Sequence, residues 1–274
     1  MAGHVASLYL AGLGRYSVQN LAHSVKLSPD WLSVEAEDTR AVAAALEEFR
    51  PEAVVNCVGT LVRESQEKPG MAAFVNGYFP HFLERLGAGK AFRLIHLSTD
   101  CVFSGARGAY AENDARDGKD FYAQSKAMGE VMNGRDLTIR TSIIGPELKK
   151  NAAGFFHWLM TSKGTVKGFD RVFWNGVTTL ELAKAIDAFL GAGTTGLCHL
   201  VSPERISKHD LLELIRGTWG RRERAIVGEP GPVSDKTLVC TRTDLPFRPS
   251  GYRQQLEELK DWVYARKELY QPYL

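Results

Sequence analysis

An apolar run that ends in small hydroxyl and carboxyl side chains restricts the fold of this sequence most strongly. The run covers residues 92–97 and is followed directly by Ser98-Thr99-Asp100. Continuous apolar runs are typical of strands buried in a parallel sheet, and open α/β sheets bind their ligands outside the carboxyl ends of such strands. The sequence therefore predicts an α/β protein with a binding site beside Thr99.

A tyrosine and a lysine follow this strand at a spacing of four residues. Tyr122 and Lys126 lie in a helical pattern over residues 121–131, so we expect them on one helix face. A nearby cation can lower the pKa of a phenol from about 10 toward neutrality. Such a tyrosine can give a proton to a carbonyl oxygen that is receiving a hydride, while the Thr99 hydroxyl holds the same oxygen. The pair alone also fits a surface helix, but the preceding strand end favours a catalytic site.

Two motifs carry a resemblance to a known family. Residues 97–105 read Leu-Ser-Thr-Asp-Cys-Val-Phe-Ser-Gly, and residues 122–130 read Tyr-x-x-x-Lys-x-x-Gly-Glu. Both resemble the extended short-chain dehydrogenase/reductases, most closely the dTDP-4-dehydrorhamnose reductases and related nucleotide-sugar reductases. The resemblance implies that Thr99, Tyr122 and Lys126 form the catalytic triad.

The same resemblance implies a fold and a division of the chain. We expect a Rossmann-like, doubly wound parallel sheet with a small C-terminal substrate lobe. Residues 1–150 would form the NAD(P)-binding domain, and residues 151–274 would form the substrate lobe with its closing helices.

The beginning of the chain departs from the family pattern. The family opens with a strand and a Gly-x-x-Gly-x-x-Gly turn, whereas residues 5–10 here already look like the first helix. Gly3 is similar to the last glycine of that turn, so we expect the first strand to be missing. Three explanations stay open: a start assigned at an internal methionine, a genuine truncated form, or a first strand supplied in another way.

The resemblance also implies cofactor contacts along the first half of the chain. Asn76 is similar to a helix asparagine that helps to position the catalytic lysine, although an exposed polar residue would also fit. Lys26 can meet a 2′-phosphate and no acidic residue follows the predicted second strand, residues 17–22, so NADPH is favoured and NADH stays open. The predicted cofactor-binding residues are Gly3, Glu35, Ala36, Asn56, Cys57, Val58, Gly59, Asn76, Tyr122 and Lys126.

Substrate contacts are expected around the strand ends and in the second lobe. Arg140 could instead tie the lobes together, and Trp174 could instead be a core residue. Cys101 stands where many relatives carry tyrosine, which indicates a subgroup with a different sugar. The predicted substrate-binding residues are Asp100, Val102, Phe103, Arg140, Ser142 and Trp174.

Composition narrows the classes of partner. A net charge of +2 gives no strong field for nucleic acid or an anionic membrane, and no apolar run approaches the ~18 residues of a membrane span. The four cysteines lack metal-ligand spacing and indicate free thiols in a reducing cytoplasm, so we expect no metal site.

We therefore expect a cytoplasmic reductase that transfers a hydride from NAD(P)H to a nucleotide-linked 4-keto-deoxysugar, either alone or as a homodimer. The alternative is a catalytically silent binding subunit, like the β subunit of methionine adenosyltransferase, which resembles the same reductases.

Overall fold

Parallel strands form the central layer of the protein. The computed structural model describes residues 1–23, 25–149, 152, 154–221 and 224–274. The strands are β1 (Leu21–Ala22), β2 (Leu32–Ser33), β3 (Ala53–Asn56), β4 (Arg93–Thr99), β5 (Leu137–Thr141), β6 (Ile143–Ile144), β7 (Val166–Phe169), β8 (Val172–Trp174), β9 (Val177–Thr178), β10 (Gly196–His199), β11 (Ile206–Ser207), β12 (Ile226–Glu229) and β13 (Ser234–Asp235).

Helices surround this layer. The α-helices are α1 (Ala2–Gly12), α2 (Thr39–Phe49), α3 (Val62–Glu67), α4 (Pro69–Ala72), α5 (Phe79–Lys90), α6 (Phe121–Met128), α7 (Phe155–Thr161), α8 (Thr179–Ala192), α9 (Lys208–Trp219) and α10 (Tyr252–Tyr264). A π-helix covers Ala73–Tyr78, and short 3-10 helices cover Asp100–Val102 and Gln271–Tyr273. None of the helices in the described ranges is long and apolar enough to cross a membrane.

The main sheet has the order β10-β5-β4-β3, and all of its strands are parallel. Its two inner strands are lined by residues with no exposed surface, such as Ile95 and Ile139. Because both faces of the sheet are covered by helices, these strands read as apolar runs in the sequence. The predicted α/β, Rossmann-like fold is confirmed.

The sheet is divided into two parts near the beginning of the chain. Among the described residues, β1 pairs only with β2, while β3 forms an edge and pairs only with β4. The described chain opens with α1, which packs against α8. The strand predicted over residues 17–22 is reduced to β1.

The second half of the chain alternates between the main sheet and smaller sheets. After β7 and β8, helix α8 packs on α1 and β10 pairs with β5 in the main sheet. The chain then leaves again to form β11, which pairs with β8. The predicted domain boundary at residue 150 lies outside the described residues, so the division of the chain stays a prediction.

Side-chain caps begin several helices. Asp38 accepts a hydrogen bond from the Ala41 amide at 3.0 Å, and Thr178 and Ser207 cap α8 and α9 in the same way. These caps satisfy amide groups that the first turn of a helix leaves unpaired.

Candidate active site

The end of β4 holds Thr99 in a fixed orientation. The Thr99 hydroxyl accepts a hydrogen bond from the Cys101 amide at 3.1 Å and donates one to Asp100 Oδ1, also at 3.1 Å. Both Thr99 and Asp100 are buried. The short 3-10 helix that follows turns the chain sharply, so that this hydroxyl lies at the carboxyl edge of the sheet.

Helix α6 brings Tyr122 and Lys126 to the same edge. Asp120 caps the helix by accepting a hydrogen bond from the Ala123 amide at 2.8 Å. One turn later, Lys126 Nζ donates to the Leu97 carbonyl of β4 at 2.6 Å, which ties the helix to the strand. Burial lowers the pKa of Lys126 to about 8.

The pKa of Tyr122 moves in the direction opposite to the sequence-based expectation. Burial of the phenol raises its pKa, the charge of Cys101 adds to that rise, and a hydrogen bond with Thr99 opposes it. The Lys126 ammonium donates to the Leu97 carbonyl and is not among the groups that shift this pKa. Tyr122 therefore keeps its proton at neutral pH.

Asn76 supports this arrangement from the π-helix. Its side chain accepts a hydrogen bond from the Thr60 amide at 2.9 Å and donates one to Ser125 Oγ at 3.1 Å. Because Ser125 directly precedes Lys126, these bonds fix the position of α6 relative to the π-helix. Asn76 has no exposed surface, so the alternative of an exposed polar residue is wrong. Single π-helical turns inside helices occur frequently at functional sites.

The predicted cofactor residues after β3 lie close to the triad. Asn56 accepts a hydrogen bond from the Val58 amide at 3.0 Å, and its amide group contacts His96 Nδ1 at 3.1 Å. Burial raises the pKa of the Cys57 thiol to about 11, and the positive charge of Lys126 opposes this shift. The Cys57 loop and the catalytic helix thus face each other.

Gly59 allows a close approach in the same region, and Gly3 lies in ordinary contact with it. A Cβ at Gly59 would come within 3.2 Å of Asn76 Oδ1, and one at Gly3 would come within 3.5 Å of the Cys57 Cβ atom. The uncapped N-terminus of α1 therefore lies against the end of β3. Free helix amides beside a parallel strand suit the diphosphate of a dinucleotide, so the residues present fit such a cofactor.

Glu35 and Ala36 follow β2, in the smaller part of the divided sheet. The exposed Glu35 carboxylate contacts His23 Nδ1 at hydrogen-bond distance, and Ala36 packs on the same hydrophobic cluster as Val54 of β3. Their contact with a cofactor stays a prediction.

The structure corrects the prediction that Arg140 binds substrate. The Arg140 side chain is 2% exposed and makes two hydrogen bonds to the Glu130 carboxylate, at 2.6 and 2.7 Å. A third bond goes to the Glu112 carbonyl at 2.9 Å, and the guanidinium also contacts His199 at 3.2 Å. Because these groups engage the whole guanidinium, Arg140 ties the parts of the protein together, in agreement with the alternative interpretation.

Val102 and Phe103 also differ from the expectation. Their side chains are buried in a hydrophobic cluster, where the Phe103 ring stacks on Tyr110 with 4.3 Å between ring centroids. Burial of this kind corrects the assignment of these two side chains from substrate contact to packing.

The other predicted substrate residues lie near the triad or on the second lobe. Ser142 is half-buried, and its carbonyl accepts a hydrogen bond from the Val177 amide at 2.8 Å. Trp174 stacks on Tyr252 with 5.7 Å between ring centroids. The Lys208 ammonium lies 4.6 Å from the Trp174 ring, and its charge acts on Asp100.

Sequence reasoning missed Lys208 as a member of the site. Ser207 caps α9, so Lys208 is the first residue of that helix, but no motif connects this position to the end of β4. Only the tertiary packing brings Lys208 near Asp100.

Comparison with known proteins places the chain in a family. The sequence matches the RmlD substrate binding domain family over residues 12–240. It is 39% identical to the "Probable dTDP-4,6-dihydroxy-2-methyloxan-3-one 4-ketoreductase" of Streptomyces antibioticus, a match that covers 94% of this chain and 91% of that protein. A match of 27% identity to the dTDP-4-keto-6-deoxy-D-glucose reductase of Streptomyces niveus covers 66% of this chain and 65% of that relative, slightly under two thirds of its length.

A solved structure shows the same fold. The dTDP-4-dehydrorhamnose reductase of Bacillus anthracis, in complex with NADP, has a TM-score of 0.74 at 16% identity, covering 84% of this chain and 87% of that one. The family match extends over most of the sequence, and the Streptomyces antibioticus relative is similar along nearly all of it. The chain belongs to the RmlD substrate binding domain family.

Proposed function

We propose that this protein is an NADPH-dependent reductase of a dTDP-linked 4-keto-6-deoxysugar, acting in the synthesis of sugars for cell-surface polysaccharides. The observation that carries the proposal is the meeting of Thr99, Tyr122 and Lys126 at the carboxyl end of β4. The relatives support it, since their names describe reductases of dTDP-linked keto sugars.

The chemistry divides between the cofactor and the protein. NADPH, when bound, supplies a hydride to the keto carbon of the sugar and leaves as NADP⁺. Tyr122 gives its phenolic proton to the carbonyl oxygen, so the ketone becomes an alcohol. The Thr99 hydroxyl orients that oxygen, and a protonated Lys126 stabilises the tyrosinate that remains.

The residues that would hold the cofactor lie on one side of the triad. Asn56 ends β3 and is followed by a loop of Cys57, Val58 and Gly59, and Gly3 brings the N-terminus of α1 to this loop. Glu35 and Ala36 would contact the adenosine end.

Lys126 would also bind the nicotinamide ribose, and Lys26 favours the 2′-phosphate of NADPH over NADH.

On the opposite side of the triad, Asp100, Ser142 and Trp174 would face the sugar nucleotide. A substrate lobe within residues 151–274, a homodimer and a cytoplasmic location belong to the same proposal. Light scattering of the purified chain tests the dimer.

The experiment for the proposed function is the oxidation of NADPH by the purified chain in the presence of a dTDP-4-keto-6-deoxysugar. Stoichiometric loss of NADPH absorbance and formation of the reduced sugar support the proposal. Binding of NADPH without turnover of any such sugar would favour the alternative of a silent binding subunit.

A further inference from the structure

Lys208 lies in an aromatic setting that leaves its charge unpaired. Its ammonium group lies 4.7 Å from the Phe155 ring centroid and 4.6 Å from that of Trp174. Within the described part of the chain, the ammonium forms no ion pair and no hydrogen bond. Aromatic faces attract a cation without neutralising it, so the positive charge stays available to a ligand.

The charge of Lys208 is directed toward the catalytic loop. Burial lowers the pKa of Lys208 to about 8, and the negative charge of Asp100 opposes that shift. At neutral pH the side chain is therefore mostly protonated. Asp100 lies beyond ion-pair distance and already accepts a hydrogen bond from Thr99, so it does not satisfy the ammonium.

A second lysine reaches the same loop. The positive charge of Lys236 acts on both Asp100 and Cys101. The stem of Lys236 packs beside Gly105, in the turn that follows Phe103. Lys208 and Lys236 therefore both act on the Asp100 carboxylate, which follows Thr99 directly.

Trp174 adds an unsatisfied donor. The side chain is 3% exposed, and its indole N–H has no hydrogen-bond partner among the described residues. A buried N–H without an acceptor costs about 1–3 kcal/mol. An anion beside Lys208 is a ligand that can satisfy an ammonium and a neighbouring N–H together.

We infer that Lys208 binds the diphosphate of the nucleotide sugar, with Lys236 as a second cation; this inference rests on the proposed function. In such a substrate, one pyranose ring separates the diphosphate from the keto carbon. A carbonyl held by Thr99 and Tyr122 therefore places the diphosphate near the cations that surround Asp100. Lys208 is a binding residue in this account and takes no part in proton transfer.

The test compares two probes that differ only in their phosphates. dTDP and thymidine are titrated by calorimetry into the full chain with saturating NADPH. We expect Lys208→Met to weaken dTDP binding by about 10- to 100-fold, because it removes a charge-assisted contact. Thymidine binding and NADPH affinity should stay within about two-fold of the wild type.

Two further variants control for folding and for general charge. Lys208→Arg keeps the cation and should retain dTDP affinity within a few-fold, whereas Lys163→Met removes an exposed lysine of the same half of the chain and should change nothing. A Lys208→Met variant that weakens dTDP and thymidine equally, or neither, would overturn the inference, and so would a wild-type chain that does not bind dTDP.

The outcomes separate this inference from the proposed function. Turnover of a dTDP-4-keto sugar with a dTDP affinity that does not depend on Lys208 would leave the reductase standing and remove the diphosphate site. Lys208-dependent dTDP binding without turnover would support the diphosphate site and contradict the reductase function.

Discussion

At the scale of single residues, the site depends on which groups keep their protons. Burial raises the pKa of Tyr122 and lowers that of Lys126 to about 8. The phenol therefore stays a donor across the physiological range, and the charge of Lys126 is the quantity that changes with pH.

The first prediction concerns that pH dependence. If protonated Lys126 stabilises the tyrosinate, turnover should be fully present below pH 8 and should fall as the pH rises through about 8, where the ammonium loses its proton. The profile of kcat from mildly acidic to strongly basic pH tests this. A profile that stays flat well above the pKa of Lys126 would show that the charge of Lys126 does not contribute.

A second prediction separates the structural role of Arg140 from a substrate role. Arg140→Met leaves the Glu130 carboxylate buried without its main partner, so we expect a loss of about 3–5 kcal/mol in the free energy of unfolding. Urea denaturation measures the loss. Adding Glu130→Gln to the variant should restore part of the stability, because it removes the unpaired charge.

The control for Arg140 is an exposed ion pair. Arg63 and Glu67 lie on the surface of α3, and Arg63→Met should cost less than about 1 kcal/mol. Equal losses at Arg140 and Arg63 would contradict the buried ion pair as a stabilising element.

At the scale of elements, packing between α6 and the π-helix sets the position of the triad. Gly129 ends α6, and a Cβ at this position would clash with the Asn76 carbonyl. We expect Gly129→Ala to destabilise the protein by about 1–3 kcal/mol, since the backbone has to move to admit the methyl group. Thermal unfolding measures the effect.

Gly191→Ala is the matched control for that change. Gly191 lies in α8, and a Cβ added there would have no neighbouring atom within 4 Å, so alanine should be neutral or stabilise the helix by up to about 1 kcal/mol. Similar destabilisation by both variants would mean that the close approach at Gly129 is not what limits the site.

Local signals predict elements well where the cause of the structure is itself local. The apolar run that begins at Phe92 is a buried strand, as its sequence predicts. The sequence predicts an ordinary helix around Asn76 rather than a π-helix, because nothing local shows that this side chain must bond Thr60 and Ser125. The packing role of Phe103 also depends on a distant partner, Leu238.

At the scale of the whole molecule, residues that are far apart in the sequence contribute to the same sheet and to the same candidate site. α8 and β10 come from the second half of the sequence and complete the main sheet, whereas Trp174 and Lys208 come from the same half and approach the loop after Thr99. The motifs predict the triad and the parallel sheet. They do not predict these contacts between the two halves of the chain, because the contacts depend on long-range packing and not on any local spacing of residues.

One measurement tests the central claim most directly: the rate of NADPH oxidation with a dTDP-4-keto-6-deoxysugar, for the wild type and for Tyr122→Phe. Tyr264→Phe serves as a control, because Tyr264 is a partly exposed tyrosine of α10. The account predicts turnover by the wild type and the control, and a decrease of about 10²–10⁴-fold in Tyr122→Phe with NADPH affinity nearly unchanged. Equal turnover by Tyr122→Phe and the wild type would contradict the account.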